Sequence, residues 1–257
     1  MSYTSPEMMT VAAARALGNQ DICFVGIGLP SAACNLARLT HAPSVTLIYE
    51  SGTLETRPAA LPLSIGDGEL CETALTTVSV PEVFRYWLQG GRITVGFLGG
   101  AQVDRFGNLN STVIGDYARP KVRLPGSGGA TEIATSCGQI FITMRQNRRS
   151  FVAQLDFLTT LGHGRTGRER RELGIPTKGP TLLVTDLCIM QPEQESNEMV
   201  VTSIHPGVTR EQVRSSTGWD VRFATAVEET TPPAADELKV LRALHARTAA
   251  AHPRHVK

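Results

Sequence analysis

The sequence predicts an open α/β fold: a largely parallel sheet with helices on both faces. Short apolar runs alternate with segments of helical pattern along most of the 257 residues. That alternation is the mark of βαβ units. Several of the runs, Val45 to Tyr49 above all, are continuously apolar, as strands covered on both faces must be. The turns between strand and helix are glycine-rich, beginning with Gly26-Ile27-Gly28-Leu29-Pro30.

Taken in order, Ser5-Pro6-Glu7 opens the first helix with a capping residue, a first-turn proline and an acid, and Gly18 closes it. Ile22 to Val25 follows as a buried strand, then a helix over Ser31 to Leu39, then the strand ending at Tyr49. A helix over Pro81 to Gln89 stops at Gly90-Gly91, and Ile93 to Leu98 returns as a strand. Helix over Ala130 to Ser136, strands over Gln139 to Met144 and Leu182 to Met190, and an alternating strand over Met199 to Ile204 continue the series. A short helix at Thr209 to Ser216 and a last one at Glu237 to Ala251, with Leu238, Leu241 and Leu244 on one face, complete it. Residues 53–72 and 99–129 break the rhythm. They are long and irregular, yet sprinkled with apolar residues, so they are expected to be pinned down and functional. With no repeat and no linker, one domain over residues 1–257 is expected.

Composition excludes several classes of function. A hydrophobic fraction of 41% and a charged fraction of 19% suit a soluble globular protein. A net charge of +1 offers no field for nucleic acid. No apolar run is long enough to span a bilayer, so no membrane role is expected. The opening MSYTSPEMMT has neither the basic end nor the apolar centre of a signal peptide. Cys23, Cys34, Cys71, Cys137 and Cys188 are odd in number and dispersed, which fits free thiols in a cytoplasmic protein. His163 and His205 stand alone in turn-like sequence, His252 and His255 lie in the C-terminal tail, and no metal site is expected.

Three stretches carry candidate chemistry. Gly26 and Gly28 make half of a dinucleotide-binding fingerprint, without its third glycine or its acid, so a tight βα turn is the better reading. Gly126, Gly128 and Gly129, in LPGSGGA, leave backbone amides bare before a helix, where they could meet a phosphate or a developing oxyanion. A flexible surface turn is the plain alternative. Glu50, in TLIYESGTLE, ends a buried strand where open sheets bind ligands, and small Ser51 and Gly52 follow it. A carboxylate needs no base to become a nucleophile, unlike serine. An ordinary hydrated or arginine-paired carboxylate is the commoner fate of such a residue.

Read together, YESG, GGAQVDRFGNLNSTVIGDY and PGSGGA resemble the β subunit of family I CoA-transferases. The likeness runs from EMMTVAAARAL to HPGVTREQV and TGWDVRF. It implies the fold shared by CoA-transferases and some sugar-phosphate isomerases. It implies Glu50 as the nucleophile, a covalent glutamyl-CoA thioester, and Gly126, Gly128 and Gly129 as the loop near the reacting carbonyl. Coenzyme A would be substrate, with no permanently bound cofactor. The activity implied moves CoA from succinyl-CoA to a dicarboxylic acid, with 3-oxoadipate as the expected acceptor. A partner is implied too: a separate α subunit, in a heterodimer or α2β2 tetramer. Ser51, Gly52 and Arg57 are the further candidates, the first two giving room beside Glu50 and Arg57 meeting the distal carboxylate, unless it is simply a solvated loop arginine. A glutaconate-type transferase, an acyl-CoA hydrolase of the same fold and a sugar-phosphate-binding relative are the alternatives.

Overall fold

Thr4, rather than Ser5, caps the first helix, α1 (Ser5–Arg15). Its hydroxyl accepts the Glu7 N–H at 3.3 Å, and Glu7 Oε2 accepts the Thr4 N–H at 2.8 Å. These details come from a computed structural model that describes residues 2–253. The chain forms two compact units, one of residues 1–97 and 232–257, the other of residues 98–231.

In the first unit α1 is followed by β1 (Ile22–Phe24), α2 (Leu29–Leu39), β2 (Thr46–Tyr49), β3 (Thr53–Leu54), α3 (Gly68–Glu72) and β4 (Thr76–Thr77). A single α-turn, α4 (Val80–Glu82), runs on as a π-helix over Val83–Leu88, and β5 (Val95–Leu98) comes next. The helix expected over Pro81 to Gln89 is therefore real but mostly of π type. β1 lies between β2 and β5 and is parallel to both, with Ile22 opposite Thr46 and Cys23 opposite Val95. β3 and β4 extend the sheet antiparallel from β2. Leu47, Ile48 and Tyr49 of β2 are each at most 1% exposed, as its continuous apolar run requires.

α1, α2 and the C-terminal helix (Ala235–Ala251) pack on one another. Two arginine forks join the terminal helix to α1. Arg15 Nε and Nη2 donate to Glu237 at 2.8 and 2.6 Å, and Arg242 Nε and Nη2 donate to Glu7 at 2.6 and 3.1 Å. The Arg242 guanidinium holds the Glu7 carboxyl down to about 2. His252 is where the terminal helix ends, and His255 lies outside the described residues.

The second unit begins with two hairpins inside the supposedly irregular stretch: β6 (Gln102–Val103) with β7 (Leu109–Asn110), and β8 (Val113–Gly115) with β9 (Pro120–Arg123). Buried Asn110 ties them, donating from Nδ2 to Gln102 Oε1 at 2.8 Å and to the Val113 carbonyl at 2.7 Å. α5 (Ala130–Ser136), β10 (Gln139–Thr143), α6 (Glu169–Glu172), β11 (Pro180–Val184), β12 (Cys188–Pro192), β13 (Met199–Ile204), α7 (Arg210–Ser215) and β14 (Phe223–Glu229) follow. β10 and β11 are parallel, β11, β12 and β13 antiparallel in turn, and β13 and β14 parallel. The single strand expected over Leu182 to Met190 is thus two strands, reversed by a turn in which Thr185 Oγ1 accepts the N–H groups of Leu187 and Cys188. Each unit thus carries parallel strand pairs with antiparallel additions. No helix among the described residues is long and apolar enough to cross a membrane.

His163 and His205 are buried, each donating from Nε2 to a backbone carbonyl, that of Pro180 at 2.8 Å and that of Thr185 at 2.9 Å. Burial lowers both pKa values, so both rings stay neutral in the fold. The unfolded chain takes up these protons near pH ~6.5, before the folded chain does. Their contribution is whole above that pH and is lost as pH falls below it. The unfolding midpoint should therefore drop as pH is lowered from 7.5 to 5.5. A midpoint that stays level across that interval would show that neither ring matters to stability.

Candidate functional site

Glu50 sits at the tip of a hairpin. β2 runs to Tyr49, the N–H of Gly52 returns to the Tyr49 carbonyl at 3.0 Å, and Thr53 of β3 lies opposite Tyr49. Glu50 and Ser51 are the central residues of that turn, and Gly52, at φ 105°, completes a three-residue loop. Because β1 and β2 are parallel, Gly26 to Gly28 and Glu50 leave the sheet at the same, carboxyl, end. The Val25 N–H donates to the Ile48 carbonyl at 2.9 Å, carrying the pairing up to that edge.

The strand end is anchored from below. Tyr49 is fully buried, and its hydroxyl lies 2.7 Å from Ser31 Oγ of α2. Asn35 Nδ2 donates to the Ser31 carbonyl at 2.9 Å and reaches the same tyrosine at 3.5 Å. Desolvation pushes the tyrosine pKa up, so it stays a neutral strut. Glu50, one residue on, is half-exposed and makes no hydrogen bond or ion pair among the described residues. Glu7 and Glu237, by contrast, are each held by an arginine fork.

Around Glu50 the small residues divide in their roles. Gly52 gives no room: a Cβ there would lie 2.0 Å from the Val78 carbonyl oxygen, and the Val78 N–H donates to the Gly52 carbonyl at 2.9 Å. The glycine is needed for a close crossing of two chain segments, not for access. Ser51 is different. Its Oγ is buried and has no hydrogen-bond partner among the described residues, and the same holds for Thr53 Oγ1 two residues later. Unspent buried hydroxyls are rare in folded proteins. Thr53 carries no sequence signal beyond being a polar residue in a strand, and only its missing partner singles it out.

Arg57 is already engaged. Its Nη2 donates to Glu55 Oε1 at 2.8 Å on the exposed loop after β3. A solvated, internally paired arginine fits that geometry better than a ligand for a distal carboxylate.

In the second unit, the glycine loop precedes α5. Gly126 and Gly128 take φ values of 98° and 48°, while Gly129 has an ordinary helical φ of −82°. The demand for glycine's unusual angles therefore falls on Gly126 and Gly128, and Gly129 satisfies a different need, if any. Ser111 pins the loop: its carbonyl accepts the Gly126 N–H at 2.9 Å and its Oγ donates to the Gly126 carbonyl at 2.8 Å. The N–H groups of Gly128 and Gly129 meet no acceptor among the described residues.

An apolar cavity of about 600 Å³ opens in the first unit beside Ile27 to Leu29 and Leu61 to Leu63, and Glu50 does not line it. Among the described residues no group of three His, Cys, Asp or Glu side chains could hold a metal ion.

Comparison with known proteins places this geometry in context. A family model described as coenzyme A transferase matches residues 6–216. The chain is 64% identical over 251 residues to one subunit of the 3-oxoadipate CoA-transferase of Pseudomonas knackmussii, covering 98% of this chain and 96% of that protein. It is 37% identical over 239 residues to one subunit of the glutaconate CoA-transferase of Acidaminococcus fermentans, covering 90% and 88%. The crystal structure of the Acidaminococcus fermentans glutaconate CoA-transferase superposes with a TM-score of 0.87 at 33% identity, covering 94% of each chain.

Proposed function

The chain belongs to the coenzyme A transferase family, and on that premise we propose that it is the β subunit of a transferase that moves CoA from succinyl-CoA to 3-oxoadipate. The observation that carries the reading is Glu50: a half-exposed carboxylate at the end of a parallel strand, with no hydrogen bond or ion pair among the described residues.

The chemistry follows from what a carboxylate can do. A Glu50 oxygen attacks the thioester carbonyl and expels CoA thiolate, leaving a mixed anhydride that keeps the thioester's activation. The thiolate then attacks the glutamyl carbonyl, succinate leaves, and CoA is held on Glu50 as a thioester. The acceptor's carboxylate enters and the two steps run in reverse, which gives ping-pong kinetics. Each addition places negative charge on a carbonyl oxygen. The free N–H groups of Gly128 and Gly129 are the second unit's donors for the same kind of charge, and losing one such donor typically raises a barrier by roughly 2.7–4 kcal/mol. CoA is a substrate in this scheme and no resident cofactor is required.

Arg57 is left the minor role its pairing with Glu55 suggests. Recognition of the acceptor's far carboxylate then falls to other groups, and we assign it to the α subunit. Its complex with this chain, in an α2β2 or αβ assembly, is also what excludes water from an anhydride and a thioester that both hydrolyse. None of the five cysteines forms a disulfide, as suits a reducing cytoplasm. The whole chain is taken to serve as one catalytic subunit. The test is reconstitution. The purified, folded chain alone should exchange CoA between succinate and 3-oxoadipate at no more than background rate, and co-expression with an α subunit should restore turnover. Full activity in the isolated chain would overturn the reading, and CoA release without any acceptor acid would identify a hydrolase instead.

A further inference from the structure

The second unit holds a cavity of about 410 Å³ that Glu50 does not line. That volume is in the range of small-ligand sites, about 300–1,000 Å³. The chain from His163 to Lys178 forms it, together with Asn197. Three of its described lining residues, Arg170, Arg171 and Lys178, are cations, and none is acidic.

Arg170 is the built part of the site. It is 4% exposed, and all five of its N–H donors are spent on neutral acceptors. Nε donates to the Thr177 carbonyl at 2.9 Å, Nη1 to the carbonyls of Leu161 and Gly162 at 3.2 Å each, and Nη2 to the Ala134 carbonyl at 2.7 Å and to Thr177 Oγ1. No carboxylate pairs with it among the described residues. Burial alone lowers its pKa, to about 10, so it remains charged at neutral pH. Buried charges are ordinarily paired, and an uncompensated one raises the potential of whatever space adjoins it. With its donors used up, Arg170 supplies charge rather than contacts. Arg171 and Lys178, exposed and without an ion pair among the described residues, have donors to give.

The remaining wall is neutral and fixed. His163 spends its Nε2–H on the Pro180 carbonyl. Asn197, held at φ 57°, donates from Nδ2 to the Gly167 carbonyl at 2.8 Å. A Cβ on Gly167 would lie 2.0 Å from the Ser196 carbonyl oxygen, so the two loop segments of this wall are in tight contact.

We propose that this cavity binds a phosphate group, with Arg171 and Lys178 as direct ligands and Arg170 as the buried counter-charge. A compact dianion answers three cations better than a single carboxylate does. The phosphate has two possible sources, a free phosphorylated metabolite or the 3′-phosphate of a CoA nucleotide. Nothing in the site involves Glu50, so the proposal stands or falls separately from the transferase reading.

Calorimetric titration of the full-length protein with inorganic phosphate, adenosine 3′,5′-bisphosphate, CoA and dephospho-CoA tests it, with succinate as the carboxylate control. Phosphate and the bisphosphate should bind, more weakly as salt rises, and the double variant Arg171→Ala/Lys178→Ala should weaken both by about tenfold or more. Both residues are exposed, so the unfolding midpoint should not move. Arg170 is left intact, since removing its five bonds would disturb the loop itself. CoA binding at least tenfold tighter than dephospho-CoA, with the difference abolished in the double variant, would identify the nucleotide as the source. Equal binding of the two, with inorganic phosphate still bound through Arg171 and Lys178, would identify a free metabolite. The proposal is overturned if neither phosphate nor bisphosphate binds at millimolar concentration, if the double variant binds them as well as the parent, or if succinate binds the same residues equally.

Discussion

Glu50→Gln should abolish CoA transfer and leave the fold unchanged. The amide is nearly isosteric with the carboxylate, and Glu50 has no hydrogen bond or ion pair to lose, so stability has no reason to change. Catalysis does: a neutral amide is not a useful nucleophile, and removal of a covalent nucleophile typically costs roughly ten-thousandfold or more in turnover. The parent protein, assembled with its partner and incubated with succinyl-CoA without acceptor, should hold CoA on Glu50. Borohydride should reduce that thioester to an alcohol, leaving a permanent mass change at residue 50 and a dead enzyme, and the Gln variant should show neither. Glu50→Asp withdraws the carboxylate by about 1.5 Å, a misplacement that can cost on the order of a hundredfold in rate. An adduct on another residue, or normal turnover by Glu50→Gln, would mean that the shared family describes the fold and not this route.

Much of this site could be read from residue order alone, because its parts are local. A continuously apolar run ending in an acid and two small residues announces a strand end, and Tyr49 to Gly52 does fold as such a turn. β13 and α5 also fall where the sequence pattern puts them, at Met199–Ile204 and Ala130–Ser136. What stayed hidden depends on distant partners. Two-residue strands such as β6 and β7 have no periodicity to detect, and exist because Gln102 pairs with Asn110 and Val103 with Leu109. β11 and β12 merge in the sequence because Leu187 makes their connecting turn look apolar, while the Thr185 hydroxyl that folds it is one residue among many. The π-helix at Val83–Leu88 shares the apolar spacing of an α-helix closely enough to be taken for one. Smallness was the most ambiguous signal. Ser51 and Gly52 read alike as cleared space, yet one leaves a buried hydroxyl unspent and the other is pressed against a carbonyl.

That contact makes Gly52→Ala the second substitution of large effect, for a reason opposite to that at Glu50. At φ 105° an alanine is strained whatever the space around it, at a cost of order 1–3 kcal/mol. Its Cβ would also stand 2.0 Å from the Val78 carbonyl oxygen, which is backbone and cannot swing aside as a side chain could. Forcing that crossing apart adds about 1–3 kcal/mol and breaks the bond from the Val78 N–H to the Gly52 carbonyl. The sum is a large share of the roughly 5–15 kcal/mol by which a domain is stable. The unfolding midpoint should therefore fall by several degrees or more. Turnover should fall as well, even where the protein is still folded, because the turn that holds Glu50 is closed by the Gly52 N–H on the Tyr49 carbonyl. Gly128→Ala supplies the comparison. It has a positive φ of 48° but open space where its Cβ would go, so it should lose only the backbone part of that stability. Thermal melts of the two variants, with rates measured below both midpoints, separate the effects. If Gly52→Ala melted no lower than Gly128→Ala, the crossing at Val78 would not be what fixes the Glu50 turn, and Gly52 would return to being cleared space.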